Sequence, residues 1–120
     1  MHELGVTFYV LKDVKKVAEE NNVDKIDFVT LEIGEVSGVI HEQLIDCWNW
    51  ARKKETVTET AEMNIETLEA VTFCEDCKGE YRTVDHGKIC PLCGSEHTYL
   101  LRGTEFNIKE IGIYDDDTGA

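Results

Sequence analysis

The chain has 120 residues, 42% hydrophobic and 31% charged, with 25 acidic against 12 basic side chains and a formal charge of −13. That length supports one main domain with a small satellite. The charge repels phosphate backbones and so disfavours a nucleic-acid binder, and no apolar run approaches the about 18 residues of a membrane span. The start, Met1-His2-Glu3-Leu4, has no basic region followed by an apolar one, so a cytoplasmic protein is expected.

Residues 4–21 read as a helix, with Leu4, Phe8, Leu11, Val14 and Ala18 as its inward stripe. Val6, Val10 and Val17 widen that stripe, and Asn21-Asn22 can end it in a left-handed turn. Residues 26–33 alternate as a strand with Val29, Leu31 and Ile33 on one face, closed by Gly34 and Ser37-Gly38. A second amphipathic helix spans 40–54, with Lys53-Lys54 in its last turn. Within it, Leu44, Cys47, Trp48 and Ala51 form one apolar stripe, which makes Cys47 a buried structural thiol.

Residues 56–60 form a polar connection, and Met63 to Phe73 reads as one strand. Thr98 to Leu101 and Phe106 to Ile113 read as two more, with Gly103 between them. In the last strand the inward parity changes between Ile108 and Ile111, which a bulge near Lys109-Glu110 would produce. The expected fold class is α+β: a core of about three strands and two helices from residues 1–72 and 103–114. A zinc-ribbon-like lobe from 73–102 is inserted between its last two strands, and residues 115–120 form an acidic tail.

Four cysteines stand in two knuckles, Cys74-Glu-Asp-Cys77 and Cys90-Pro-Leu-Cys93, separated by twelve residues that allow one hairpin turn. Each knuckle puts two sulfurs on one tight turn, and two facing knuckles supply four thiolates for a tetrahedral metal. Gly79 and Gly94 follow the knuckles where the chain often needs a positive φ. Four thiolates leave no open coordination position, so hydrolysis there is not expected. No Ser-His-Asp or paired-carboxylate set is present either, and the protein reads as a non-enzyme. His86 lies in the loop before the second knuckle.

The first three residues offer a different chemistry. The Met1 amine, the His2 amide nitrogen and the His2 imidazole can close fused chelate rings around one ion. Three such nitrogens suit Ni(II) or Cu(II) in a planar arrangement. A fourth donor would come from the Glu3 backbone or carboxylate, or from His97.

Taken together, several features resemble the HypA/HybF family of hydrogenase maturation factors over essentially the whole chain except the tail. These are Met-His-Glu-Leu at the start, Leu31-Glu-Ile-Gly34-Glu-Val-Ser-Gly-Val39, Glu42 and Leu44, the two knuckles, and Gly103-Thr-Glu105. The resemblance implies a nickel metallochaperone that delivers Ni(II) to the large subunit of [NiFe]-hydrogenase and works with the GTPase HypB. It makes His2 the principal nickel ligand, with Met1 and Glu3 beside it, and assigns structural zinc to Cys74, Cys77, Cys90 and Cys93. Two positions depart from the family pattern: Gly5 replaces a usual Ser and His41 a usual Pro. The neck between lobe and core leaves a homodimer by exchange open. The four cysteines taken alone also fit a rubredoxin-like Fe(Cys)4 electron carrier or a zinc-ribbon interaction module.

Overall fold

The computed structural model describes residues 2–114, and the chain in it is of the expected α+β class. Its elements are α1 (Glu3–Glu20), β1 (Phe28–Gly34), α2 (His41–Ala51), β2 (Glu62–Leu68), β3 (Val71–Cys74), β4 (Glu80–Arg82), α3 (Thr83–His86), β5 (Thr98–Arg102) and β6 (Phe106–Gly112). Single 3-10 turns at Arg52–Lys54 and Thr56–Thr58 follow α2. The acidic run Asp115-Asp116-Asp117 lies outside the described residues.

Helix α1 buries Val10, Leu11, Val14 and Ala18, together with the polar residues Glu3 and Thr7. Leu4 and Phe8, expected to face inward, are exposed instead. The reason is that the two polar residues are satisfied where they stand. The Glu3 carboxylate Oε2 accepts the Ile40 N–H at 2.9 Å, and Thr7 Oγ1 donates to the Glu3 carbonyl at 2.8 Å. A buried polar group with its partners in place loses little on leaving water. The helix ends as expected: Asn22 is left-handed at φ 55, and the Asn21 side chain caps the Val17 carbonyl at 2.8 Å.

Val29, Leu31 and Ile33 of β1 are all fully buried, the expected face of that strand. In α2 the buried positions are Leu44, Trp48 and Ala51, whereas Cys47 is only half-buried. The stripe is narrower than periodicity suggests because Trp48 fills it. Its indole Nε1 donates to the Ala61 carbonyl at 2.8 Å, and Arg52 Nη1 reaches the same oxygen at 2.9 Å.

The strands form two three-stranded sheets, ordered β2-β1-β6 and β4-β3-β5. In the second, β3 pairs antiparallel with β4 (Thr72 opposite Tyr81) and with β5 (Phe73 opposite Tyr99, Cys74 opposite Thr98). The single strand expected over 63–73 is therefore two, interrupted at Glu69-Ala70 and assigned to different sheets. Ala70 leaves the ladder because its N–H goes to Glu35 Oε1 at 3.0 Å and its carbonyl accepts from Thr83 N–H at 3.2 Å. Along β6, Phe106 and Ile108 are half-buried, Lys109 and Glu110 exposed, and Ile111 half-buried, so the inward parity does change there.

Contacts divide the described chain into one unit of residues 2–31, 39–66 and 107–114 and a second of residues 32–38 and 67–106. The first contains both long helices. The second contains both knuckles and a close approach of two glycines. A Cβ at Gly34 would stand 2.0 Å from the Gly103 carbonyl oxygen, and one at Gly103, where φ is +133, would stand 2.5 Å from Ala70 Cβ. Around this contact Gly34 N–H donates to the Glu105 carbonyl at 2.8 Å and Val36 N–H to the Gly103 carbonyl at 2.9 Å. Gly34→Ala is expected to lower stability by about 1–3 kcal/mol, because backbone has to move to admit the methyl. Chemical denaturation of the metal-loaded chain measures it, and an unchanged midpoint would contradict the close approach.

Candidate metal centre

The two knuckles are built alike. In the first, Cys74 N–H donates to the Gly79 carbonyl at 2.9 Å and Lys78 N–H returns to the Cys74 carbonyl at 2.9 Å. In the second, Cys90 N–H donates to Ser95 at 3.0 Å and Gly94 N–H to Cys90 at 2.8 Å. The fourth residue after the leading cysteine is left-handed in both, Lys78 at φ 61 and Gly94 at φ 75. The positive φ expected at Gly79 thus falls on Lys78. Gly79 is needed for space instead, since a Cβ there would lie 2.9 Å from Leu92 Cδ1 and 3.4 Å from Cys77 Sγ.

This repetition brings the four sulfurs within 4.8 Å of one another, Cys74 and Cys90 buried and Cys77 and Cys93 exposed. The Cys74–Cys93 and Cys77–Cys90 sulfur distances are each 3.6 Å. A regular tetrahedron of thiolates about 2.3 Å from a zinc-sized ion has edges of about 3.8 Å, so the donor set fits one ion. Backbone N–H groups also turn toward the sulfurs, with Leu92 N–H 3.4 Å from Cys90 Sγ.

The thiols do not ionise equally. The Cys77 N–H holds the Cys74 pKa down to about 7, against desolvation and with help from Asp76 N–H and the neighbouring thiols. At Cys93 the Ser95 N–H acts in the same sense, but the Cys74 sulfur, desolvation and the Cys90 sulfur outweigh it and push the pKa up to about 12. Cys77 is also raised: Gly79 N–H lowers it, while desolvation and the Cys90 and Cys74 sulfurs prevail. Once one thiolate has formed, its charge opposes the next. A cation at the centre removes that opposition.

The twelve-residue gap holds β4 and α3 rather than one plain turn. Tyr81 of β4 joins Cys74 and Cys90 in a small buried cluster, and its hydroxyl donates to the Gly87 carbonyl at 2.8 Å. His86 ends α3 with its ring edge-on to Tyr81, centroids 5.8 Å apart. Asp76 clasps the second knuckle from the first. Ser95 Oγ donates to its Oδ2, and His97 Nδ1 lies 3.1 Å from the same oxygen. The Ser95 bond and then His97 hold the Asp76 carboxyl below its ordinary value. Sequence reading missed this clasp. Its signal was an acid inside one knuckle and a Ser-x-His directly after the other.

At the other candidate site His2 precedes α1 with extended backbone, φ −85 and ψ 93, and its carbonyl accepts the Val6 N–H at 3.1 Å. Its side chain is exposed and makes no capping bond. The Ile40 N–H, followed by the residue's own N–H, holds the Glu3 carboxyl below its ordinary value. His41, next in sequence to Ile40, opens α2. The Met1 amine lies outside the described residues.

Fold and centre define the class: an α+β metal-binding protein of two units, one of them organised around four cysteines. Among its relatives, Hydrogenase maturation factor HypA of Chlorobium phaeobacteroides (strain BS1) is 36% identical over 113 residues, covering 94% of this chain and 99% of its own. Hydrogenase maturation factor HybF of Klebsiella pneumoniae is 28% identical over 111 residues, covering 92% and 97%. The solution structure of the Ni metallochaperone HypA from Helicobacter pylori shares the fold, with TM-score 0.67, 23% identity and 94% and 97% of the two chains covered. The family model described as "Hydrogenase/urease nickel incorporation, metallochaperone, hypA" matches residues 1–113. The chain belongs to that family, the HypA nickel metallochaperones of hydrogenase maturation.

The knuckle symmetry yields a test. Gly94→Ala is expected to cost about 1 kcal/mol, because a Cβ is disfavoured at a left-handed position, whereas Lys78→Gly is neutral or stabilising. Thermal melts of the metal-loaded variants separate the two. Equal losses would mean that the shared turn geometry is wrong.

Proposed function

We propose that the chain carries Ni(II) at its N-terminal turn and keeps Zn(II) as a permanent structural ion at Cys74, Cys77, Cys90 and Cys93. The His2 imidazole is the principal nickel donor, with the His2 amide nitrogen, the Met1 amine and Glu3 beside it. The observation that supports this reading is the setting of His2. A side chain at the helix start, exposed and unused for capping, is free to take an ion, while Glu3 behind it is anchored to Ile40. Nitrogen donors suit nickel, and soft sulfur suits zinc, so the two ions are sorted by chemistry.

The division of labour follows from the ligands. Four thiolates saturate a tetrahedral ion and leave nothing for substrate, so the zinc centre holds the lobe together and catalyses nothing. Its donors, a terminal amine and one exposed side chain just before the helix, can be released one at a time, so the nickel site can give its ion away. The recipient is the large subunit of [NiFe]-hydrogenase, with a HypB-type GTPase as the nickel donor or helper, in the cytoplasm. The family description also names urease, which widens the set of recipients.

His2→Ala is expected to weaken nickel binding by at least about 100-fold in calorimetry, since even neighbours of a metal ligand are worth about 10–100-fold. Zinc content and the circular dichroism spectrum stay unchanged. An unaltered nickel isotherm would rule out the N-terminal site. An uncleaved N-terminal extension is expected to abolish the planar, low-spin nickel spectrum by blocking the amine. Nickel load also falls on acidification, because only neutral imidazole is a donor.

For the second ion, Cys74→Ala is expected to release the metal and unfold the lobe, as binding of about 10–16 kcal/mol is what folds such small units. Elemental analysis of the purified chain decides its identity. Stoichiometric iron with a red colour would favour the rubredoxin-like electron carrier, and a colourless zinc protein the carrier proposed here.

A further inference from the structure

One flank of α1 is left over when the core is complete. Leu4, Phe8, Leu11 and Lys15 follow one another at helical spacings of four, three and four, so they share one side of the helix. Leu4 and Phe8 remain 46% and 42% exposed. Trp50 of α2, 54% exposed, meets Phe8 edge-on with ring centroids 6.4 Å apart. Leu4 and Trp50 also line a small recess with Cys47 and Asp46. Large apolar side chains gathered in one place, rather than scattered singly, mark an interaction surface.

A groove of about 660 Å³ runs over Phe8 and Leu11 between Lys12, Lys15 and Lys16 of α1 and Lys54 after α2. Four of the chain's 12 basic residues thus stand on one groove of a protein with charge −13. Lys15 is already paired with Glu55 at 3.3 Å, and Lys54 lies over the Trp50 ring at 4.1 Å. Among the described residues Lys12 and Lys16 have no acidic partner. Glu19 and Glu20 close the far end. The surface is therefore apolar near His2, basic in the middle and acidic where it stops.

We propose that this groove is the docking site for an acidic amphipathic helix of a partner protein. The helix seats its apolar residues on Leu4, Phe8 and Trp50 and its carboxylates against Lys12, Lys16 and Lys54. From Leu4 to Lys16 is about 18 Å along the helix axis, room for a docked helix of about twelve residues. Charge complementarity selects the occupant. The lysine field is local, screened within about 8 Å at physiological salt, and bordered by glutamates. It therefore suits a short acidic segment, whereas a bilayer or a nucleic acid would bring extended negative charge against an acidic protein. The inference extends the carrier reading, since a partner seated here lies beside the turn that holds His2, but the groove itself needs no nickel.

The test titrates a helical peptide of about fourteen residues, with leucines on one face and glutamates along its flank, onto the zinc-loaded full chain without nickel. Tryptophan fluorescence and calorimetry read binding. The peptide is expected to bind, more weakly as salt rises. Lys12→Glu combined with Lys16→Glu weakens it at least about 10-fold, and Trp50→Ala does the same. A peptide with lysines in place of the glutamates recovers affinity for the charge-reversed chain. His2→Ala leaves peptide affinity unchanged, so failure of the nickel site and failure of the groove are read separately. The proposal is overturned by an absence of binding, by unchanged affinity in the double variant, or by equal binding of acidic and basic peptides to the unaltered chain. It is also overturned if anionic vesicles or a short single-stranded oligonucleotide bind this face more tightly than the acidic peptide.

Discussion

Four sulfur atoms within 4.8 Å of one another are the constraint around which the second unit is built. Bare thiols at that separation compete: Cys74 gives up its proton at about 7 while Cys93 keeps its own to about 12. A cation at the centre would resolve the competition and turn repulsion into attraction. Little else is available to do so. The buried cluster around the knuckles is Cys74, Tyr81 and Cys90, so two of its three members are ligands. A metal here adds to the small hydrophobic core that a unit of residues 32–38 and 67–106 can assemble.

Glycine contact takes a similar part at the other end of that unit. Gly34 and Gly103 approach so closely that neither tolerates a side chain, and Glu35 fixes the crossing through the Ala70 N–H. Glu105 adds a second carboxylate bond, from Gly103 N–H at 2.9 Å. Both carboxylates accept from backbone N–H groups, and Glu35 also faces the Arg82 guanidinium at 4.0 Å, which leaves few degrees of freedom in the crossing. Gly34, Glu35, Gly103 and Glu105, four of the residues that carry the family resemblance, thus have a place in packing and hydrogen bonding.

Much of this was legible beforehand, and what was not has specific causes. The knuckles could be read because cysteine spacing determines sulfur geometry directly, and β1 because Val29, Leu31 and Ile33 alternate on one face and are all buried. The α1 stripe was read one flank too far, since Glu3 and Thr7 look like surface residues until their partners, the Ile40 N–H and the Glu3 carbonyl, are known. The break at Glu69-Ala70 carries no proline or glycine. It is imposed by the Glu35 carboxylate, 35 positions away in sequence. The left-handed Lys78 was hidden for the opposite reason: the adjacent Gly79 drew the expectation to itself. Local pattern identifies elements, and long-range bonds decide where they end.

The Glu3–Ile40 hydrogen bond has a consequence for how far the N-terminal turn can travel. With Glu3 clamped and α1 beginning at the same residue, His2 moves only through its own torsions, as a fingertip does on a fixed hand. A side chain so placed does not swing across a gap to find a partner. Transfer of anything held there becomes a matter of direct contact, with the acceptor's ligands brought within bonding distance before the first ones let go. Speed would then be governed by the lifetime of that encounter rather than by the motion of an arm.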